Sequence, residues 1–521
     1  MSLAIGIPLL ECVYVAGCVR WGFKKCIYIG EFDSASWSLA TYEEFEPVPR
    51  ICRVILAVYE EDLTKPLWAP PGGYGLKLDD IVKKTDYEYT EGNAPPYLIY
   101  VDHQERDIIL AIRGLNLGQE RDYRALLDNR LGQRIFDGGY VHHGLLKSAT
   151  WLLNKEAATL IGLIEKYPNY TLTFAGHSLG SGVAALMVLV VAKNREALGK
   201  ISRNRLRGYC VAPARSMSLN LAVQYADVIR SVILQDDFLP RTSTPLQDVF
   251  GAAFCLPCML IFRCCVDTCT SEKKKLKDPR RLYAPGRMYH IVERQFCSCG
   301  KLPPEVRTNV PVEGRFDQIV LSCNATSDHS IVEIEKEAQI AMELLHESVV
   351  QVPPSQKMER QRTLAKELRN DRRAALERAV TLNVPFAFSP EENDDDESDA
   401  NSIVNDRQGN TTDTDQAESS LREENGSLGQ SHNWNDLVEK LFSKTLSQTA
   451  RDDEGNSGDG ESSGRDAKSG KPNAWNYFVE RIFSKSKVVR SSEKEQTELQ
   501  ETSQQHQKPP SDEETVEPDN E

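Results

Sequence analysis

Thr171–Lys193, with the sequence TLTFAGHSLGSGVAALMVLVVAK, decides the fold. Thr171–Ala175 is short, β-branched and apolar, which predicts a buried strand. Ser181–Lys193 is rich in Ala, Val and Leu and predicts a buried helix. Between them, Gly-His-Ser-Leu-Gly at 176–180 matches G-x-S-x-G, the pattern that places a serine on a sharp turn from strand to helix. The stretch therefore predicts an activated Ser178 at the carboxyl end of a strand.

The chemistry of this turn explains its residue types. A strained serine tolerates only small neighbours, so glycine stands two positions before it and two positions after it. The following helix points its free N–H groups and the positive end of its dipole at Ser178. The N–H of Leu179 is then placed to stabilise a developing oxyanion.

Strands and helices alternate around this stretch, which predicts an α/β fold with a mostly parallel sheet. Val141-His-His-Gly144 opens a predicted helix that continues to about Lys166, and Ile331–Glu347 predicts another. Tyr97–Val101 and Asp107–Ile112 predict a hairpin. The remaining predicted strands are Leu206–Ala212, Ile229–Gln235, Arg287–Glu293 and Asp317–Ser322.

A serine nucleophile needs a base, and the base needs an orienting carboxylate. On this type of sheet the chain order is Ser, acid, His. Asp236 and Asp237 follow a predicted strand and are both candidates for the acid. Among the later histidines, His329 follows a predicted strand end, whereas His290 and His346 fall inside a strand and a helix pattern, where structural roles fit.

Five motifs together resemble the class 3 (fungal-type) lipases. They are Gly-His-Ser-Leu-Gly at 176–180, Val-His-x-Gly at 141–144, Ile-Arg-Gly at 112–114, Asp-x-x-Pro-Arg at 237–241 and Asp-His at 328–329. The plant branch of diacylglycerol-lipase-like and calmodulin-binding lipase-like proteins is the most similar. The resemblance covers about residues 1–350 and implies the α/β-hydrolase fold.

The resemblance also implies roles for single residues. It assigns Ser178 as nucleophile, Asp237 as acid and His329 as base of a lipid ester hydrolase, and position 115 as the second oxyanion donor beside Leu179. Class 3 lipases usually have Ser or Thr there, whereas Leu115 offers only its backbone N–H. Loss of one donor costs about 10²–10³ in rate, so a catalytically weak lipase-fold scaffold is the alternative function.

Composition restricts the cellular setting. The 521 residues carry a net charge of −15, much of it beyond Pro390, which argues against a nucleic-acid partner. The 13 unevenly spaced cysteines favour free thiols in a reducing, cytoplasmic compartment. Met1–Gly30 lacks a basic leader, and Glu11 interrupts its apolar run, so we expect a helix packed on the core or a membrane-facing segment.

An insertion at 249–300 separates the candidate acid from the candidate base. Val249–Phe262 is apolar but too short to span a bilayer. Cysteines and then a basic run follow, which suits a peripheral membrane contact with palmitate on the thiols. The cysteines are Cys255, Cys258, Cys264, Cys265 and Cys269, and the cations are Lys273, Lys274, Lys275, Lys277, Arg280 and Arg281.

Two other interpretations of the insertion stay open. Cys255-x-x-Cys258 and Cys297-x-Cys299 have the spacing of zinc ligands, although apolar residues crowd the first pair. A plain buried helix would also explain the apolar run. We expect no metal and no cofactor.

The carboxyl-terminal third divides into two parts. Lys357–Leu382 predicts a charged helix, either solvated or in contact with a membrane or calmodulin. From Pro390 onward the chain is acidic and poor in apolar residues, which predicts disorder. The expected organisation is an N-terminal lipase-associated segment at 1–95, the α/β-hydrolase domain at 96–350, the charged helix at 351–389 and the acidic tail at 390–521.

Two near copies of one amphipathic motif interrupt the tail. They are WNDLVEKLFSK at 434–444 and WNYFVERIFSK at 475–485. Apolar residues recur on one helical face, which predicts a short segment that folds on a partner. Trp434 and Leu441, and Trp475 and Ile482, are the expected contacts. Calmodulin or a membrane surface fits this pattern, and a helix that docks back on the lipase domain is the alternative.

Overall fold

The computed structural model describes residues 28–116, 135–241, 271–278, 281–296, 300–317, 322–349, 354–387 and 433–442, with positions 122, 125, 128 and 320. Nine strands within these ranges form one sheet, in the order β1-β9-β8-β7-β6-β5-β4-β3-β2. The strands are β1 (Ser38–Leu39), β2 (Ile81–Lys84), β3 (Tyr97–Asp102), β4 (Asp107–Ile112), β5 (Thr171–His177), β6 (Leu206–Val211), β7 (Ile229–Leu234), β8 (Arg287–Val292) and β9 (Glu305–Asn309).

The five central strands, β4 to β8, are parallel, and the strands at both edges are antiparallel. This confirms the predicted α/β-hydrolase architecture. The predicted hairpin is β3 and β4, which pair antiparallel. The central strands are buried on both faces because helices cover each side.

The α-helices of the described ranges lie on both faces of the sheet. They are α1 (Tyr42–Phe45), α2 (Pro47–Ala57), α3 (Tyr87–Thr90), α4 (His143–Lys166), α5 (Leu179–Lys193), α6 (Leu219–Gln224), α7 (Glu272–Leu276), α8 (Ile331–Val349), α9 (Pro354–Thr381) and α10 (434–442). Short 3₁₀ turns occur at Gly30–Ser34, Leu78–Asp80, Arg195–Leu198 and Arg203–Arg205.

The two largest apolar cores of the described ranges lie on opposite faces of the sheet. Helices α4 and α5 pack together over one face with Leu172 and Phe174 of β5. Helices α2 and α8 pack together over the opposite face with Ala175 of β5. The change of face between Phe174 and Ala175 follows from the alternation of side chains along a strand.

The N-terminal residues belong to the same sheet. Strand β2 pairs with β3, β1 pairs with β9, and α2 covers the second core. A buried ion pair joins Asp33 to Arg241 at 2.7 Å, so the segment before β1 is fixed beside the loop that follows β7.

The predicted strand at Asp317–Ser322 lies only partly within the described residues. Positions 317, 320 and 322 are described and belong to no strand, and the last strand of the described ranges is β9, which pairs antiparallel with β8. In β9 the side chains of Val306 and Thr308 are buried while Glu305 and Asn309 are exposed, so the strand alternates instead of forming an apolar run.

The charged helix predicted at Lys357–Leu382 is confirmed as α9. Its last turns bury Ala375, Leu376 and Ala379 against α6, while most of its other described side chains are exposed. No helix among the described ranges is both long and apolar enough to cross a bilayer.

Several expectations fall outside the described residues. These are most of Met1–Gly30, Val249–Phe262 and all of the tail except 433–442. The expected disorder of the tail and the proposed domain boundaries stay predictions.

Candidate active site

Ser178 occupies the turn between β5 and α5, as the opening stretch predicts. Its backbone has φ 53° and ψ −117°, a conformation that is costly for a residue with a side chain. A Cβ on Gly176 would lie 2.2 Å from the carbonyl oxygen of Gly180, and one on Gly180 would lie 2.4 Å from that of Arg113. Both positions therefore require glycine.

His329 lies between Ser178 and Asp237. Its Nε2 is 2.8 Å from Oγ of Ser178, and its Nδ1 is 2.8 Å from Oδ1 of Asp237. A carboxylate can only accept, so Nδ1 carries the proton and Nε2 accepts from the serine hydroxyl. This is the tautomer with which a histidine can take the proton of Ser178.

The two candidate acids have different partners. Asp237 is fully buried, and its Oδ1 also accepts from the N–H of Leu239 at 3.0 Å. Asp236 instead accepts from the N–H of Gly30 at 2.7 Å, so it fixes the N-terminal segment. The structure thus places Asp237, and not Asp236, against the imidazole of His329.

The loop that carries His329 is fixed by a charge cluster. Asp328 accepts from the N–H of Asp236 at 2.9 Å and pairs with Arg294, which also lies 3.5 Å from Asp236. Burial raises the pKa of the Asp328 carboxyl to about 6, although Arg294 opposes this shift. The loops after β7 and β9 are therefore tied together on either side of the imidazole.

Tyr59 and His177 form a second buried set beside Ser178. The N–H of Gly114 donates to the Tyr59 hydroxyl at 2.6 Å, and that hydroxyl lies 2.7 Å from Nδ1 of His177. Nε2 of His177 is 2.8 Å from the carbonyl oxygen of His329. Because a carbonyl only accepts, Nε2 carries the proton and Tyr59 donates to Nδ1.

Burial lowers the pKa of His177 to about 3, so this imidazole stays neutral. Sequence reasoning missed Tyr59, which lies just after α2 in no recognisable motif. His177 could have been singled out, because it stands inside the G-x-S-x-G pattern next to the serine.

The expected oxyanion donors lie at two chain segments that meet at Ser178. Leu179 begins α5, so its N–H has no acceptor within that helix. A Cβ on Gly114 would lie 3.1 Å from Cβ of Ser178, which places the segment ending in Leu115 alongside the serine. The half-buried side chain of Leu115 packs on the core of α4 and α5.

Trp434 and Leu441 are buried against the core of α4 and α5. The first motif thus follows the alternative in which the helix docks back on the lipase domain. Trp475, Ile482 and the cysteines at 255, 258, 264, 265 and 269 lie outside the described residues, as do Cys297 and Cys299. Within the described ranges no group of three or more His, Cys, Asp or Glu side chains could hold a metal ion.

Two family models match the chain. The lipase (class 3) model matches residues 109–247, and the lipase 3 N-terminal region model matches residues 9–76. Mouse diacylglycerol lipase-beta is 28% identical over 161 residues, which are 30% of this chain and 23% of the relative. Human diacylglycerol lipase-alpha is 22% identical over 304 residues, which are 48% of this chain and 28% of the relative. The matches thus span about a quarter of each relative's length.

Solved lipase structures are also similar. The Rhizomucor miehei triacylglyceride lipase matches with a TM-score of 0.36 and 16% identity, over 56% of this chain and 95% of that one. The Lip2 lipase from Yarrowia lipolytica matches with a TM-score of 0.37 and 15% identity, over 56% and 95%. The two matched segments make the chain similar to the class 3 lipases over residues 9–76 and 109–247.

Proposed function

We propose that the chain is a serine hydrolase that cleaves acyl esters of lipids, with diacylglycerol or monoacylglycerol as the substrate. The observation that carries this proposal is the placement of His329, 2.8 Å from Ser178 Oγ and 2.8 Å from Asp237 Oδ1. The substrate class comes from the similarity to diacylglycerol lipases.

The proposed reaction is acyl transfer through Ser178. Its Oγ attacks the ester carbonyl while His329 Nε2 takes the hydroxyl proton, and Asp237 stabilises the imidazolium that forms. The backbone N–H groups of Leu179 and Leu115 donate to the oxyanion. His329 then gives its proton to the leaving alcohol, and a water molecule activated by the same imidazole hydrolyses the acyl-enzyme.

Three variants test this assignment by the hydrolysis of diacylglycerol in mixed micelles. We expect Ser178→Ala and His329→Ala to lower kcat by at least about 10⁴, and Asp237→Asn by about 10⁴. His346→Ala is the matched control, because His346 is an exposed histidine on α8 whose ring contacts that of Tyr42. Turnover like that of the unchanged protein in all three variants would contradict the proposal.

The alternative is a catalytically weak scaffold, and one observation favours it. Leu115 has no hydroxyl, so the second oxyanion donor is the backbone N–H alone. A Leu115→Ser variant separates the alternatives, because added oxyanion stabilisation raises kcat of a working enzyme and does nothing for a scaffold.

A peripheral membrane contact is part of the proposed function. Besides the cysteines of the insertion, Leu67 and Trp68 support it, being 82% and 55% exposed. Their N–H groups donate to the Glu60 carboxylate at 2.9 and 2.6 Å, and Glu60 directly follows Tyr59. An apolar pair fixed so close to the site suits contact with a lipid surface.

Vesicle flotation tests this contact. Leu67→Ser/Trp68→Ser should weaken binding to lipid vesicles, whereas Leu39→Ser, at a 61% exposed position on β1, should not. Acyl-exchange labelling tests palmitate on Cys255, Cys258, Cys264, Cys265 and Cys269. No labelled thiol would contradict that modification.

Calmodulin remains a proposed partner of the tail, and it is best tested on the second motif, since Trp434 and Leu441 are buried. A peptide of residues 474–490, titrated with calmodulin, should bind in calcium and be released by a chelator. No binding in calcium would remove this partner.

A further inference from the structure

Helix α10 packs its apolar face onto the lipase domain. Trp434 is 0% exposed, and Val438 and Leu441 are also buried in the core that contains α4 and α5. Leu437 and Phe442 are half-buried in the same cluster. The apolar positions predicted to meet a partner therefore meet the chain's own domain.

The receiving surface, which we call the tail groove, consists of α4 and the turn at 136–139. At one end Oδ1 of Asn154 accepts from the N–H of Trp434 at 2.8 Å. At the other end the ring of Phe136 meets that of Phe442 at 5.0 Å, and the N–H of Asp137 points at the carbonyl of Leu441 at 3.5 Å. Both ends of the helix are thus fixed to the domain.

The docked helix leaves a buried hydrogen-bond donor without an acceptor in the described part of the chain. Nε1 of Trp434 is buried, and no described residue accepts its proton. An unpaired buried donor opposes docking, because the same N–H would be hydrogen-bonded to water after release. The tail groove therefore suits an occupant that can be exchanged.

The second motif reproduces the buried face of the first. Trp, Val and Phe recur unchanged at 475, 479 and 483, and apolar residues replace apolar residues at 478 and 482. The one change of character, Asp436 to Tyr477, falls at an exposed position of the docked helix. At the positions that meet the groove the second copy is either identical to the first or keeps an apolar side chain.

The copies also differ at the helix start. Oδ1 of Asn433 accepts from the N–H of Asn435 at 3.0 Å, and its carbonyl accepts from the N–H of Leu437 at 3.3 Å. The corresponding residue in the second copy is Ala474, which cannot cap a helix with its side chain. Loss of such a cap lowers the equilibrium constant for helix formation about fivefold. The first copy should therefore bind the groove more tightly than the second.

We propose that the tail groove is a shared receptor for both motifs, and that 475–483 is the alternative ligand that occupies it when 434–442 leaves. One chain then carries one groove and two competing ligands. Whichever motif is outside the groove presents its Trp and apolar face to another partner. Since α4 packs on α5, either occupant contacts the core that includes Leu179.

Fluorescence anisotropy on the full-length chain tests the proposal. The probe is a labelled peptide of residues 473–485, and the receptor is the chain with Trp434→Ala and Trp475→Ala, which removes both tethered ligands. We expect this probe to bind at least about tenfold more tightly than its Trp475→Ala version. A peptide of 432–444 should bind about fivefold more tightly than the probe.

The unchanged chain is the competition control. Its tethered first motif has an effective concentration of the order of millimolar, so probe binding should weaken at least about tenfold. Equal affinity of the probe for both chains would overturn the proposal. So would a double variant that binds 432–444 but not 473–485, or one that binds neither peptide.

Hydrogen exchange in the full-length chain provides a second readout. Leu441→Lys should release the first motif and raise the protection of amides at 475–483, and Leu441→Lys/Ile482→Lys should remove that gain. These variants retain both tryptophans, so the result is independent of the Trp434→Ala and Trp475→Ala substitutions used for the anisotropy measurement. No gain at 475–483 in Leu441→Lys would contradict the exchange.

Discussion

The hydroxyl of Tyr59 lies 2.7 Å from Nδ1 of His177, and this contact joins the two loops that flank Ser178. On one side Tyr59 accepts from the N–H of Gly114, one residue before the expected oxyanion donor Leu115. On the other side His177 donates to the carbonyl of His329. Neither residue touches the reacting atoms, so both are positioning residues.

Removal of this hydroxyl should slow the reaction without unfolding the protein. Tyr59→Phe leaves Gly114 and His177 without their partner, and we expect kcat to fall about tenfold to hundredfold, below the loss of a direct oxyanion donor. KM should change little. Tyr289→Phe is the matched control, because the buried Tyr289 hydroxyl has no partner in the described chain. Equal kcat in both variants would contradict the positioning role.

The turn at Ser178 should not tolerate a methyl group. Gly176→Ala places a Cβ 2.2 Å from a backbone oxygen, and we expect it to cost at least about 3 kcal/mol of unfolding free energy. Gly162→Ala in α4 is the control, since its Cβ would meet nothing within 4 Å. That change should stabilise by about 0.5–1 kcal/mol. Urea unfolding compares the two, and similar midpoints would refute the steric account.

The buried ion pair of Asp33 and Arg241 should matter more than an exposed one. Both side chains are at most 3% exposed, and Arg241 also donates to the carbonyl of Asp237. Asp33→Asn leaves a buried guanidinium without its counter-charge, which costs about 3–5 kcal/mol. Glu313→Gln breaks the exposed pair with Arg378 and should cost under about 1 kcal/mol. An equal loss of unfolding free energy in Asp33→Asn and Glu313→Gln would show that burial does not determine how much an ion pair contributes to stability.

Acid should destabilise the fold through its buried histidines. Burial lowers the pKa of His290 to about 3, whereas the unfolded value is near 6.5. Below pH 6.5 the unfolded chain therefore binds the proton first, and stability is lost as pH falls toward 3. The unfolding free energy of the unchanged protein should exceed that of His290→Gln by an amount that shrinks by about 1.4 kcal/mol per pH unit in that window. Denaturant midpoints at pH 7, 6 and 5 measure it, and a constant advantage would contradict this pKa.

Local patterns predicted the central part of the fold. An apolar strand, two glycines and an apolar helix specify β5 and α5 because each depends on short-range sterics. The apolar runs before Asp236 and at Arg287 likewise gave β7 and β8. Asp237 could not be chosen over Asp236 from local pattern, because the choice depends on contacts with Gly30 and Asp328.

Other features depend on distant partners and left no local signal. Strand β9 alternates exposed and buried residues, so a search for apolar runs did not find it. Tyr59 acts through residues more than fifty positions away. The face of α10 was predicted, but an amphipathic pattern does not specify which surface it meets.

Labelling with a fluorophosphonate probe tests the central claim most directly, because only a serine activated by His329 reacts rapidly with it. The unchanged protein should be modified at Ser178, with the labelled peptide identified by mass spectrometry. His329→Ala should slow labelling at least about hundredfold, and Ser178→Ala should abolish it. Labelling of the unchanged protein no faster than that of Ser178→Ala would contradict the claim and leave the lipase fold as a scaffold.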